Sequence, residues 1–334
     1  MPERKGLPGG RPGPTARASK SWAAEEGHFW IGVPPGGAPG HGRPAGAMSV
    51  AYRRPDTVLH PFPVVFVHGG NGQGLDFLFT PDGRPGWAQS LLADGYEVYV
   101  VDRPGFGRSP WSEPLGEIGY QPTAEDILAL LGRIDPQRSQ WPGKLHAGDE
   151  VLAQFMASVG PSYGDLASLH RAFRHCAESL LERTGPAVLV VHSMGAPFGW
   201  IAADACPSLV KGIVAVEPVG PPYARIPGER GALGHGLTAV PLGSSAAGRT
   251  HAAAADALCN LRAVPVLLVT GDDAGRYRQD GQVADFLRDA GVCVDHLFLP
   301  DIGIFGNSHF MFLEKNNMEI AAQLRLWIAD RMAR

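Results

Sequence analysis

Apolar residues recur along this chain in two rhythms. Short unbroken runs, "FPVVFV" (62–67), "VYVV" (98–101), "AVLVV" (187–191), "GIVAV" (212–216) and "VPVLLV" (264–269), each stop at a polar residue. That is the pattern of strands buried on both faces. Between them, "GWAQSLLADG" (86–95) has helical spacing and a terminal glycine. Residues 164–185 place Leu166, Leu169, Phe173, Cys176 and Leu180 on one helical face. The spacing predicts further helices over "GAPFGWIAADA" (195–205), "QVADFLRDAG" (282–291) and the closing stretch 316–332, where Asn316 and Glu319 stand at capping-box distance. "CVDHLFLPDIG" (293–303) reads as the last strand.

Strands alternating with helices from residue 62 onward define an α/β fold, a mainly parallel sheet with helices on both faces. Ahead of it, "HFWIGV" (28–33) and "AMSVAYRR" (47–54) read as an antiparallel pair joined by a Pro/Gly loop. Two blocks interrupt the alternation, about 108–163 and about 221–262. Their patterning is weak, with short helices expected only at 123–133 and 148–158, so they read as insertions rather than domains. Residues 1–25 are rich in Gly, Pro and Arg; such a segment buries too little surface to offset the entropy of ordering and is expected to be a disordered tail.

Composition narrows the classes. Of 334 residues 44% are hydrophobic, and the formal net charge is −4, which leaves no basic footprint for nucleic acid. No apolar run reaches membrane-span length. The N-terminus has no apolar core of a secretory signal, so the expected location is cytoplasmic. The four cysteines, Cys176, Cys206, Cys259 and Cys293, form no CxxC pair and are read as buried free thiols.

Ligands in such sheets bind beyond the carboxyl ends of the strands. Those ends carry His68-Gly69-Gly70-Asn71-Gly72, Asp102, Ser193, Glu217, Asp272-Asp273 and the loop with His309. A serine, a carboxylate and a histidine in that order are the parts of a serine hydrolase. Ser193 lies on a strand-to-helix turn with Gly195 two residues on, although Val191 stands where a glycine is usual two residues before. An oxyanion needs two N–H donors. Met194 supplies one by position, and Gly70 is preferred over Asn71 for the other. Gly70, Gly72 and Gly74 do not form the G-x-G-x-x-G of a dinucleotide loop. Among 12 histidines, His309 alone follows the final strand and precedes the final helix; His192, next to Ser193, points away from it, and His68 braces the glycine loop. The acid is Glu217 or one of Asp272 and Asp273. Glu217 is favoured because a carboxylate ending an apolar strand demands a partner, whereas the aspartates suit a helix cap.

From about residue 28 to the end the chain resembles the α/β-hydrolase superfamily. The resemblance rests on "FVHGG", "VVDRPGFGRS", "VVHSMGA", "VLLVTGDD" and "GNSHFMFLEKNN". It is similar in particular to a small group of bacterial serine esterases with a Glu acid after the sixth strand. The resemblance implies Ser193 as nucleophile, Glu217 as acid, His309 as base, Gly70 and Met194 as oxyanion donors, and a homodimer. The expectation is an ester or lactone hydrolase that acts on a small molecule without metal or cofactor, its insertions forming a lid, with Trp111, Trp141, Phe155, Tyr163 and Tyr223 lining an apolar site. The rivals are thioester, amide or C–C hydrolysis on the same scaffold, or a non-catalytic binding protein.

Overall fold

The computed structural model describes residues 23–32, 46–223, 233–243 and 258–333. Eight strands, β1 (Glu25–Ile31), β2 (Met48–Arg54), β3 (Val64–Val67), β4 (Val98–Asp102), β5 (Ala187–His192), β6 (Val210–Val216), β7 (Val266–Thr270) and β8 (Val294–Phe298), form one sheet in the order β1-β2-β4-β3-β5-β6-β7-β8. β1 pairs with β2, and β2 with β4, antiparallel; every other pairing is parallel. The first 22 residues of the expected tail lie outside the described residues, and β1 already begins at Glu25.

Among the described residues seven helices cover the sheet: α1 (Trp87–Ala93), α2 (Ala124–Leu131), α3 (Glu150–Met156), α4 (Leu166–Thr184), α5 (Ala196–Ala205), α6 (Ala274–Asp289) and α7 (Asn317–Met332). Side chains alternate across a strand, so β3 sends Val65 and Val67 to one face and Val64 and Phe66 to the other. The first face packs on Phe173 of α4, Phe198 and Trp200 of α5, and Phe286 of α6. The second packs on Trp87 of α1 and Leu324 of α7. Each such fully buried side chain contributes roughly 1.5–3 kcal/mol. This two-sided core fixes the strand ends, where the polar residues gather. Among the described residues no helix is long and apolar enough to cross a membrane.

Two expectations need correction. The capping box at Asn316 does not form, because the Asn316 amide pairs with the Asn307 amide instead, each donating to the other. Of the four free thiols only Cys176 is buried; Cys259 and Cys293 are exposed and Cys206 lies between.

Candidate active site

Ser193 sits where β5 passes through one 3-10 turn into α5. Its φ is +49°, a left-handed conformation that costs a non-glycine residue about 1–2 kcal/mol. The turn is possible because its neighbours are small. A Cβ on Gly195 would lie 2.4 Å from the His68 carbonyl oxygen. Val191 is accommodated from the helix side: a Cβ on Gly199 of α5 would come within 3.2 Å of its Cγ1. Gly199, one helical turn beyond Gly195, thus leaves the room that the Val191 side chain takes up.

From Val188 onward β5 and β6 run in register, with His192 opposite Val216. Glu217 therefore stands one strand over from Ser193, and its φ of +41° is also left-handed. His309 joins the two. Its Nε2 is 3.0 Å from Ser193 Oγ and its Nδ1 2.6 Å from Glu217 Oε2. A carboxylate only accepts, so Nδ1 carries the proton and Nε2 is left free to accept from the hydroxyl. Glu217 is completely buried. Its Oε1 accepts from the Gly271 N–H at 3.0 Å, and Arg276 Nε lies 3.5 Å from Oε2. Neither aspartate touches His309. Asp272 accepts from the Gly306 N–H at 2.7 Å, and Asp273 caps α6 through the Gly275 N–H. Of the three candidate carboxylates, the structure brings Glu217 alone to the histidine.

The β3 loop forms the opposite wall. Gly69 and Gly70 approach the Ser193 turn so closely that a Cβ on Gly69 would lie 3.1 Å from Ser193 Cβ, and one on Gly70 3.3 Å from Met194 Cγ. Asn71, with φ of +61°, turns away from the serine. Its Nδ2 donates to the Gly160 carbonyl at 2.9 Å, and its own carbonyl accepts from the Gly160 N–H at 2.8 Å. His68 braces the loop as expected, donating from Nδ1 to the Gly69 carbonyl at 2.8 Å while Nε2 accepts from the Arg103 N–H at 2.9 Å. Burial holds its pKa well below the usual histidine value. Asp102 ties the loop to the turn after β4, accepting from the Gly74 N–H at 2.7 Å and from Arg108 Nε at 2.6 Å. Asp76, buried behind Gly72, is pushed up to about 7 by desolvation.

Three residues of this framework escaped the sequence reading. His192 donates from Nε2 to the His309 carbonyl at 2.9 Å, so it holds His309 in place. Arg276 faces Glu217, and its signal was only a cation near the start of a helix. Glu314 is buried and accepts from the Ser308 N–H at 2.9 Å and from Asn307 Nδ2 at 2.7 Å, which ties the two residues before His309 to the segment after it. The quoted segment "GNSHFMFLEKNN" did mark this last network, but without roles.

A cleft of about 400 Å³ opens over Ser193, Met194, Gly70 and His309. Its far wall comes from the 108–163 segment, through Tyr120, Ile127 and Leu130 on and before α2 and Phe155 and Val159 on and after α3. Of the five aromatics expected there, only Phe155 lines it. Trp141 packs behind Phe155, Tyr163 against Phe106 and Tyr223 against Phe286, while Trp111 is exposed. Phe310 and Phe312, which flank the histidine loop, line it instead. Residues 224–232 and 244–257 of the second expected insertion lie outside the described residues. Its described part sends Leu237, Leu242, Leu258 and Leu261 into the core on the α5 face, and none of it lines the cleft.

A family model described as the alpha/beta hydrolase fold matches residues 63–230. A protein from Fungal sp. named "Probable secreted lipase phiG" is 34% identical over 304 residues, covering 82% of this chain and 83% of its own length. A solved structure described as a novel bacterial esterase superposes with a TM-score of 0.70 at 22% identity, over 95% of this chain and 98% of that one. Its likeness is one of fold, and it extends to the antiparallel N-terminal strands that the family model leaves out. Sheet order, helices on both faces and the sequence matches agree: the chain belongs to the α/β-hydrolase family.

Proposed function

We propose that the protein hydrolyses carboxylic esters, lactones included, through an acyl-Ser193 intermediate, with His309 as general base and Glu217 as its acid. The observation that carries this reading is the hydrogen-bonded line from Ser193 Oγ through His309 to Glu217, at 3.0 and 2.6 Å, opening into an apolar cleft. The names of the similar proteins, a lipase and an esterase, support an ester as the bond cleaved.

In the proposed reaction Ser193 Oγ attacks the ester carbonyl carbon while His309 Nε2 takes the hydroxyl proton. The carbonyl π electrons move onto oxygen, and the N–H groups of Gly70 and Met194 receive that oxyanion. The tetrahedral carbon then expels the alkoxide, which takes the proton from His309. Water repeats the cycle on the acyl-enzyme, and the carboxylic acid leaves. Glu217 holds the imidazole tautomer throughout and stabilises the imidazolium. No cofactor enters the scheme. The aromatic and aliphatic lining of the cleft favours an apolar acyl group.

The test is labelling with a fluorophosphonate, mapped by mass spectrometry, beside a panel of activated acyl esters, lactones and thioesters of matched acyl length. The expected result is modification at Ser193 and fastest turnover of esters with apolar acyl chains. Absence of both labelling and turnover in folded protein would overturn the reading, and thioesters as the fastest substrates would move it to the neighbouring chemistry.

A further inference from the structure

Arg103, the first residue after β4, is only 1% exposed. No carboxylate among the described residues pairs with it; it lies instead over the Phe106 ring, 4.3 Å from the centroid. A buried cation without a counter-charge is costly, and a cation–π contact returns only part of that cost. Core stability alone does not explain an arginine here. Burial lowers its pKa to about 9, so the guanidinium stays charged at neutral pH.

Its two terminal nitrogens donate to backbone carbonyls, while the buried Nε has no hydrogen-bond partner among the described residues. Nη2 donates to Gly69 at 2.5 Å and Nη1 to Met194 at 3.2 Å. The Gly69 carbonyl belongs to the same peptide unit as the Gly70 N–H. That unit is planar and trans, so its C=O and N–H point in opposite directions. A guanidinium that fixes the carbonyl inward therefore fixes the N–H outward, on the side where Gly70 meets Met194 and the cleft. With the His68 Nδ1–H also on the Gly69 oxygen, both its lone pairs are occupied. Hydrogen bonds in a chain polarise one another, strengthening each by ~10–30%, so the Gly70 N–H becomes a better donor. The bond to Met194 ties this peptide to the Ser193 turn.

We propose that Arg103 is a positioning residue for oxyanion stabilisation, aiming and polarising the Gly70 N–H through the Gly69 carbonyl and locking the glycine loop to the serine turn. The proposal rests on the ester-hydrolase reading above.

The experiment compares R103M and R103K with the parent on an activated ester and on its thiono counterpart, in which sulfur replaces the carbonyl oxygen. Sulfur accepts hydrogen bonds weakly, so the thiono reaction draws little on the two donors. Methionine fills the apolar site without the charge. R103M is expected to lose about 10²–10³-fold in kcat on the oxo ester, less than about tenfold on the thiono ester, with KM within about threefold. R103K, which keeps the charge but reaches only one carbonyl, should fall between. Equal losses on the two substrates, in R103M or in R103K if R103M does not fold, would mark a merely structural role and overturn the proposal, as would unchanged kcat. S193A, run alongside, tests the underlying reading separately. Full activity in S193A sinks that reading, whereas an inactive S193A beside a fully active R103M removes only the role of Arg103.

Discussion

The turn after β5 and the turn after β6 are alike in backbone and opposite in support. Each places a non-glycine residue in the left-handed region one step past a paired strand end, Ser193 at +49° and Glu217 at +41°. The Ser193 turn is kept open by missing atoms: Gly69, Gly195 and Gly199 leave room where any Cβ would collide or crowd. The Glu217 turn is held by added contacts. Gly271 donates to the carboxylate, and Arg276 lies beside it while also donating to the main-chain carbonyls of Glu217 and Pro218. One backbone device thus serves two ends. A nucleophile, the role proposed for Ser193, must reach substrate, so its neighbours are cut back; a buried charge must be satisfied, so donors are brought to it.

That contrast is most sharply tested by removing each functional group in turn. Ser193→Ala should cost on the order of 10⁶ in kcat while the melting temperature stays within a few degrees. Glu217→Gln should cost about 10⁴ in kcat and also destabilise, because the new amide NH₂ must face the Gly271 N–H or the Arg276 guanidinium. Asp272→Asn and Asp273→Asn should stay within about tenfold, since an amide still leaves the histidine contact untouched. Steady-state assays on one activated ester, with thermal melts of the same preparations, decide it. An inactive Asp272→Asn beside an active Glu217→Gln would break the comparison.

A smaller effect probes the cut-back side. Gly199→Ala pushes a methyl against Val191 and should cost about 1–3 kcal/mol of stability. Adding Val191→Ala should recover most of that loss, a coupling that a double-mutant cycle of denaturation midpoints would measure. Additive losses would mean that Gly199 is small for another reason.

The smallest expected effect concerns the wall facing the serine turn. Burial raises Asp76 from 3.8 to about 7, so between those values the native state holds a proton that the unfolded chain has released. This contribution to stability is full below about pH 4 and is lost as pH rises through about 7. Asp76→Asn abolishes the titration. Its melting temperature relative to the parent should therefore climb by a few degrees between about pH 4 and pH 8. A gap that stays constant with pH would show that Asp76 is not titrating there.

Much of this arrangement was readable from one chain because strand ends are punctuated. Ser193 and Glu217 each come at the end of an apolar run, His309 lies in the loop between the last strand and the last helix, and chain order distinguishes their proposed roles. The weighing of Glu217 against the two aspartates rested on burial, which an uninterrupted apolar strand signals directly. What escaped was contact across the fold. Nothing local says that Gly199 excuses Val191, that Arg103 turns back beneath the β3 loop, or that Asn316 prefers Asn307 to its own helix. The aromatic guesses failed for the same reason: Trp141 and Tyr163 are as apolar as Phe155, and only three-dimensional placement decides which faces the cleft and which lies behind it.

The two-way bond between Asn71 and Gly160, amide to carbonyl and carbonyl to amide, limits how this enzyme can be rebuilt. The segment over the cleft is not an interchangeable module laid on a fixed base. Transplanted to another sheet, it would arrive with a peptide unit matched to an asparagine in the receiving loop. Replaced here, it would leave the glycine loop without its outer anchor. Segment and loop are therefore one inheritance, and variation in substrate preference is expected to accumulate in Tyr120, Phe155 and Val159, which line the cleft, while the Asn71–Gly160 pair stays as it is.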